Sequence, residues 1–182
     1  MNLPNLLTLL RIFFVPLLVA ALLADGTRIA QWQIFIPISR EIFALAVFLA
    51  AAATDLLDGY LARKWKQTTT VGTLLDPIAD KLLISAALIS LVQVQVVPAW
   101  MVVLIIGREF AISGLRSIAA AEGYVIKASD LGKTKLVTQV IAISFLLLSI
   151  HWPELHGLAI GLMWAVVFFA ILSAVVYFRK FW

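Results

Sequence analysis

The sequence predicts an all-α integral membrane protein, with six transmembrane helices and an N-terminal interfacial helical start. Three observations carry this expectation. The 182 residues are 63% hydrophobic and only 13% charged, against about 45–50% apolar and about 25% charged in soluble domains. Six mostly apolar stretches approach the ~20 residues that a membrane-crossing helix needs. Lys and Arg gather at alternate connections, the asymmetry that sets orientation in a bilayer. The mean hydropathy, +1.05, agrees. This composition excludes a soluble globular domain and a disordered chain. With no cysteine there is also no disulfide scaffold and no thiolate site.

The first span is expected over Leu3–Ala24, with the opening residues as a short surface helix that turns into it. Its uninterrupted apolar run starts only at Ile12, and Pro4-Asn5 suits a helix start better than a helix interior. It lacks the basic leader and the A-x-A site of a signal peptide. Thr27–Arg40 follows as an irregular, interfacial stretch carrying Trp32 and Phe35. The remaining spans are expected over Glu41–Arg63, Gly72–Gln93, Pro98–Ala121, Lys133–His151 and His156–Phe178. Connections are short, so residues 1–182 read as one domain.

The connection Arg63-Lys64-Lys66 is basic, as are Lys127, Lys133 and Lys135 and the tail Arg179-Lys180. The connections 93–97 and 151–156 hold no Lys or Arg. Both termini and both basic connections therefore belong in the cytoplasm, with Arg28 and Arg40 as diluting exceptions. A net charge of +4 and a pI of about 9.6 would suggest nucleic acid in a soluble protein. Here they place cations beside anionic lipid heads, and no nucleic-acid partner is expected.

Charge at membrane depth is costly and points to function. Asp55 and Asp58 are three residues apart near the end of the second span, and Asp76 and Asp80 are four apart in the third. Each pair shares one helix face. The two spans, joined by a short basic turn, are expected to be antiparallel neighbours, so that four carboxylates converge. Bare carboxylates would repel one another and resist desolvation. They must take up protons or be neutralised by hard cations, for which Mg²⁺ or Mn²⁺ with oxygen ligands is the natural solution. Four carboxylates suffice for a two-metal site of the kind used in phosphoryl transfer. The alternatives are helix caps in cytoplasmic water and a proton relay.

The run D-x2-D-G-x2-A-R-x8-G-x3-D-x3-D is formed by Asp55, Asp58, Gly59, Ala62, Arg63, Gly72, Asp76 and Asp80. It resembles the full signature of the CDP-alcohol phosphotransferase family. The resemblance implies a six-helix membrane enzyme that displaces CMP from a CDP-linked lipid with an alcohol, using Mg²⁺ or Mn²⁺, in phospholipid biosynthesis. The opening Asn2-Leu3-Pro4-Asn5 to Arg11, the run Gly107–Arg116 and Leu131-Gly132-Lys133-Thr134-Lys135 are similar to one branch of that family. Leu136 departs from the branch pattern and Gln139 keeps it. That branch takes CDP-diacylglycerol and sn-glycerol 3-phosphate. It implies a bacterial inner membrane, an active site toward the cytoplasm and a homodimer.

On this resemblance Asp55, Asp58 and Asp76 are metal ligands, and Asp80 is the general base and a possible further ligand. Asn5, Thr8, Gly59, Ala62, Arg63 and Gly72 fall on the CDP-lipid side. Other readings stand beside these. Gly59 and Ala62 also suit tight helix packing, and Arg63 suits a cytoplasmic anchor. Asn5, Thr8 and Arg11 recur every three residues, which equally describes an interfacial helix with a wet side. The acceptor phosphate needs a cationic pocket, for which Arg108, Arg116, Lys133 and Lys135 are the candidates. Arg108 alternatively pairs with Glu109, and Lys133 and Lys135 could be interfacial anchors. Lys81, directly after the base, fits either a structural pairing or the reaction. His151 and His156 lie on the far side, with Trp152 and Trp164 as belt or core residues. Two other functions compete. One is the same chemistry with inositol phosphate or phosphatidylglycerol as acceptor; the other is a cation or proton transporter. Phe43–Ala53 and Leu82–Leu91 are almost wholly apolar, which argues against a permeation path.

Overall fold

The computed structural model describes residues 3–23, 38–65, 70–123 and 130–181. Among these residues there are six α-helices and no strand: α1 (Leu3–Leu23), α2 (Arg40–Trp65), α3 (Thr70–Gln93), α4 (Ala99–Ala121), α5 (Asp130–His151) and α6 (His156–Phe181). A single 3₁₀ turn, Pro153–Leu155, joins α5 to α6. Each helix falls on one expected span, and α2, α3, α5 and α6 extend it by two to three residues at the basic end. The stretch with Trp32 and Phe35 lies outside the described residues.

One expectation is corrected at the N-terminus. The opening residues are not a separate surface helix; α1 runs unbroken from Leu3 through Pro16 to Leu23. A proline inside a helix removes a backbone bond and crowds the preceding turn. Here Pro16 is exposed, while Val15, Leu18, Ala21 and Leu22 are buried and hold the helix to its neighbours.

A second correction concerns packing. α2 and α3 are not close neighbours along their length; they touch only briefly, because α1 packs extensively against both. The helices close a ring in the order α1, α2, α5, α6, α4, α3 and back to α1. Alanines allow the close approach of α1 and α2: Ala21, Ala44 and Ala51 have no exposed surface. The core continues through Phe48, Leu88, Leu91, Met101, Ile105, Leu146 and Met163.

The connections opposite the basic ones are tight. α3 ends in a Schellman motif. Val96 N–H bonds the Leu91 carbonyl at 3.0 Å and Gln95 N–H bonds that of Val92 at 2.9 Å. Gln95 takes the left-handed conformation, φ 59°, that glycine usually supplies. Trp100 meets Trp164 at this end, with centroids 5.3 Å apart, and His151 meets Trp152 edge-on at 4.5 Å. Arg40 is compensated locally, its Nε bonding Glu41 at 2.8 Å.

The outer surface is greasy. Phe13, Leu49, Val103, Phe110, Val137, Trp164 and Phe168 are all exposed large apolar residues. By length and composition, two stretches among the described residues could cross a membrane, Leu6–Leu23 and Pro153–Tyr177.

Candidate active site

Arg11 organises the first half of the site. Its side chain has no exposed surface, although it carries a full charge. Its Nη1 lies 2.9 Å from Asp55 Oδ1 and also donates to Asp80 Oδ1. One guanidinium nitrogen thus bridges a carboxylate of α2 and a carboxylate of α3. Thr8, one turn earlier on α1, is buried as well. Of the two readings of this face, the wet helix side does not hold for these two residues: the face carrying Thr8 and Arg11 turns inward, because α1 is wedged between two helices that bear acids. Beside Asp55, the Thr54 hydroxyl is satisfied by the Ala51 carbonyl at 2.7 Å.

The other two acids stand on the same helix faces by periodicity, Asp58 three residues after Asp55 and Asp76 four before Asp80. The side chains of Asp58 and Asp76 lie outside the described residues, as do those of Asn5, Gly59, Ala62, Arg63, Gly72 and Lys133. Among the described residues no group of three His, Cys, Asp or Glu side chains gathers. The two described acids are carboxylates, the donor type a hard divalent ion takes, and come from separate helices, but both are bonded to the Arg11 cation.

Asp80 also faces an open cavity of about 470 Å³ lined by α3, α4, α5 and α6. Lys81, Arg108, Glu109, Arg116, Lys135, Gln139 and Tyr177 share its wall. The structure therefore brings Arg108, Arg116 and Lys135 together with Asp80. Four cations face two acids in this space, an excess of positive charge that suits an anion. Lys81 lies in this wall too. Asp80 keeps 41% of its side-chain surface exposed.

The cavity wall is cross-braced. Glu109 takes an ion pair from Lys135 and a bond from Arg108 Nη1 at 3.3 Å. Arg108 Nη2 donates to Ser173 Oγ at 2.6 Å, and that hydroxyl donates to the Ala170 carbonyl at 3.0 Å. Charged groups out of water are tolerated when hydrogen-bonded in this way. Arg108 thus both pairs with Glu109 and lines the cavity; the two readings of its role are compatible.

Tyr177 in the wall and Ser173 behind Arg108 escape the sequence reading, which treats the last span as generic apolar helix. Ser173 and Tyr177 are four residues apart, so they share one face of α6. That spacing was the available signal.

An all-helical ring thus carries two acids beside a cationic chamber, and comparison of sequences says to which class of protein it belongs. The family model for CDP-alcohol phosphatidyltransferase matches residues 1–172, and the chain belongs to that family of transferases. Among its relatives, a CDP-diacylglycerol–glycerol-3-phosphate 3-phosphatidyltransferase of Bacillus subtilis is 45% identical over 185 residues, covering 100% of this chain and 95% of the relative. The protein of that name from Cereibacter sphaeroides is 36% identical, covering 90% of this chain and 71% of its own length. A probable phosphatidylglycerophosphate synthase of Mycobacterium tuberculosis is 38% identical, covering 98% of this chain and 81% of its own length.

Proposed function

We propose that the protein transfers the phosphatidyl group of CDP-diacylglycerol to sn-glycerol 3-phosphate, giving phosphatidylglycerophosphate and CMP. The observation that carries this is the chamber in which Asp80 stands with Arg108, Arg116 and Lys135. A carboxylate beside a cluster of cations is what an acceptor with one reacting hydroxyl and one phosphate requires. The names and extent of the relatives support the same substrates.

In this reading the phosphate of the acceptor docks on Arg108, Arg116, Lys133 and Lys135. Its hydroxyl then lies at Asp80. The hydroxyl oxygen attacks the β-phosphorus, Asp80 takes the proton, and the bond to the CMP oxygen breaks. Arg11 holds Asp80 through Oδ1 and fixes its direction. Asn5, Thr8, Gly59, Ala62, Arg63 and Gly72 contribute to the CDP-lipid side. Asp55, Asp58 and Asp76, with Asp80, would hold Mg²⁺ or Mn²⁺. When bound, these ions supply positive charge against the diphosphate and the departing CMP.

The acyl chains remain in the bilayer. We place all six helices across a bacterial inner membrane as a homodimer, with the site open to the cytoplasm. The outward-facing large apolar residues support a lipid surround. Beyond the carboxylates, the described buried residues of α2 and α3 are apolar except Ser90, which favours an enzyme over a transporter.

The test is CMP release by purified protein in lipid, given CDP-diacylglycerol, Mg²⁺ and one acceptor at a time. Glycerol 3-phosphate, inositol phosphate, phosphatidylglycerol and serine are compared. Release with glycerol 3-phosphate alone is expected; release with none of them overturns the reading.

A further inference from the structure

Gln139 lies four residues after Lys135 on α5, so the two share a helix face. It lines the cavity that holds Asp80. It is 2% exposed, and its amide nitrogen is buried with no hydrogen-bond partner. The same wall contains Ile84, Ile105 and Leu136. Packing alone does not call for an amide here, because Met or Leu would fill the space without stranding two N–H donors. Buried polar groups in native proteins are almost always paired, and an unpaired one calls for a partner that arrives later.

The chemistry of that partner follows from what the chamber already supplies. A glycerol phosphate has three polar parts: the phosphate, the reacting hydroxyl and a second hydroxyl. The phosphate is matched by full positive charges, and the reacting hydroxyl by Asp80. The second hydroxyl is left, and a neutral amide donor suits a neutral oxygen. Resting on the function proposed above, we propose that the Gln139 side-chain amide donates a hydrogen bond to the non-reacting hydroxyl of the acceptor. Gln139 is then a specificity-determining residue for a phosphate that carries two adjacent hydroxyls.

The experiment compares kcat/KM for CMP release with two acceptors, sn-glycerol 3-phosphate and 3-hydroxypropyl phosphate, which lacks the middle hydroxyl. The natural enzyme should prefer the first by about tenfold or more, since a site built to bond a hydroxyl discriminates against its absence. Gln139→Met should lose about tenfold with glycerol 3-phosphate, keep its rate with the analogue, and melt no lower than the parent. Equal loss with both acceptors, or no loss, overturns the assignment. Equal use of both acceptors by the unmodified enzyme overturns it without any variant. Absence of turnover with glycerol 3-phosphate brings down the proposed function and this assignment together, whereas normal turnover without preference brings down this assignment alone.

Discussion

Arg11 and Asp55 are joined at 2.9 Å across the α1–α2 interface, and the arginine of this pair has no exposed surface. The same nitrogen reaches Asp80 on α3. A residue of the first helix therefore sets the spacing of two acids contributed by two later ones.

Replacing Arg11 by Met should leave those acids facing each other without a counter-charge. Removing one partner of a buried pair costs about 3–5 kcal/mol. Asp55 and Asp80 keep 26% and 41% of their side-chain surface exposed, so a loss of about 2 kcal/mol is expected after discounting for solvent screening. Thermal unfolding in chelator measures it, and added Mg²⁺ should restore part of the loss. Unchanged melting in chelator would show that the pair does not hold the helices.

Asp80→Asn should lower turnover by about 10²–10⁴, the range for loss of a general base. Binding of CDP-lipid and of Mn²⁺ should be largely kept, as read by titration of the purified protein. If binding falls together with turnover, Asp80 serves chiefly as a ligand and the proton goes elsewhere.

Arg116 and Arg108 should separate by their supports. Arg116 is exposed, so Arg116→Ala is expected to raise the acceptor KM about tenfold while leaving melting nearly unchanged, since exposed substitutions usually stay within about 0.5 kcal/mol. Arg108→Ala also strips Glu109 and Ser173 of a partner, and should lower the melting temperature as well. Steady-state kinetics and melting on both variants test the contrast.

Ser173→Ala removes the bond that aims Arg108. A hydrogen bond to a charged group contributes about 1.5–3 kcal/mol. The acceptor KM should rise several-fold while the KM for CDP-diacylglycerol stays put. A rise in both would mean that α6 had shifted rather than that Arg108 had lost its aim.

The six helices were legible because apolar runs of bilayer length have few competing explanations. Their neighbours were not. A short connection brings the ends of α2 and α3 together, but it leaves the rest of their length open to a third helix, and α1 is apolar on nearly every side. The three-residue spacing of Asn5, Thr8 and Arg11 marks a polar face, yet periodicity does not say whether such a face meets water or carboxylates. Cations on α4 and α5 pointed to an anion pocket through their charge. Ser173 was hidden because a serine in an apolar helix can bond its own backbone, as it does to Ala170, and so leaves no trace in the pattern.

The bridge made by Arg11 also bears on biogenesis. Ribosomes build this chain from its first residue, so the arginine emerges before either of its acids exists. Until α2 and α3 follow, that arginine lacks both of the carboxylates it bridges in the fold. The bridge cannot close until the third helix has been made, so the packing of the earliest segment waits on two later ones.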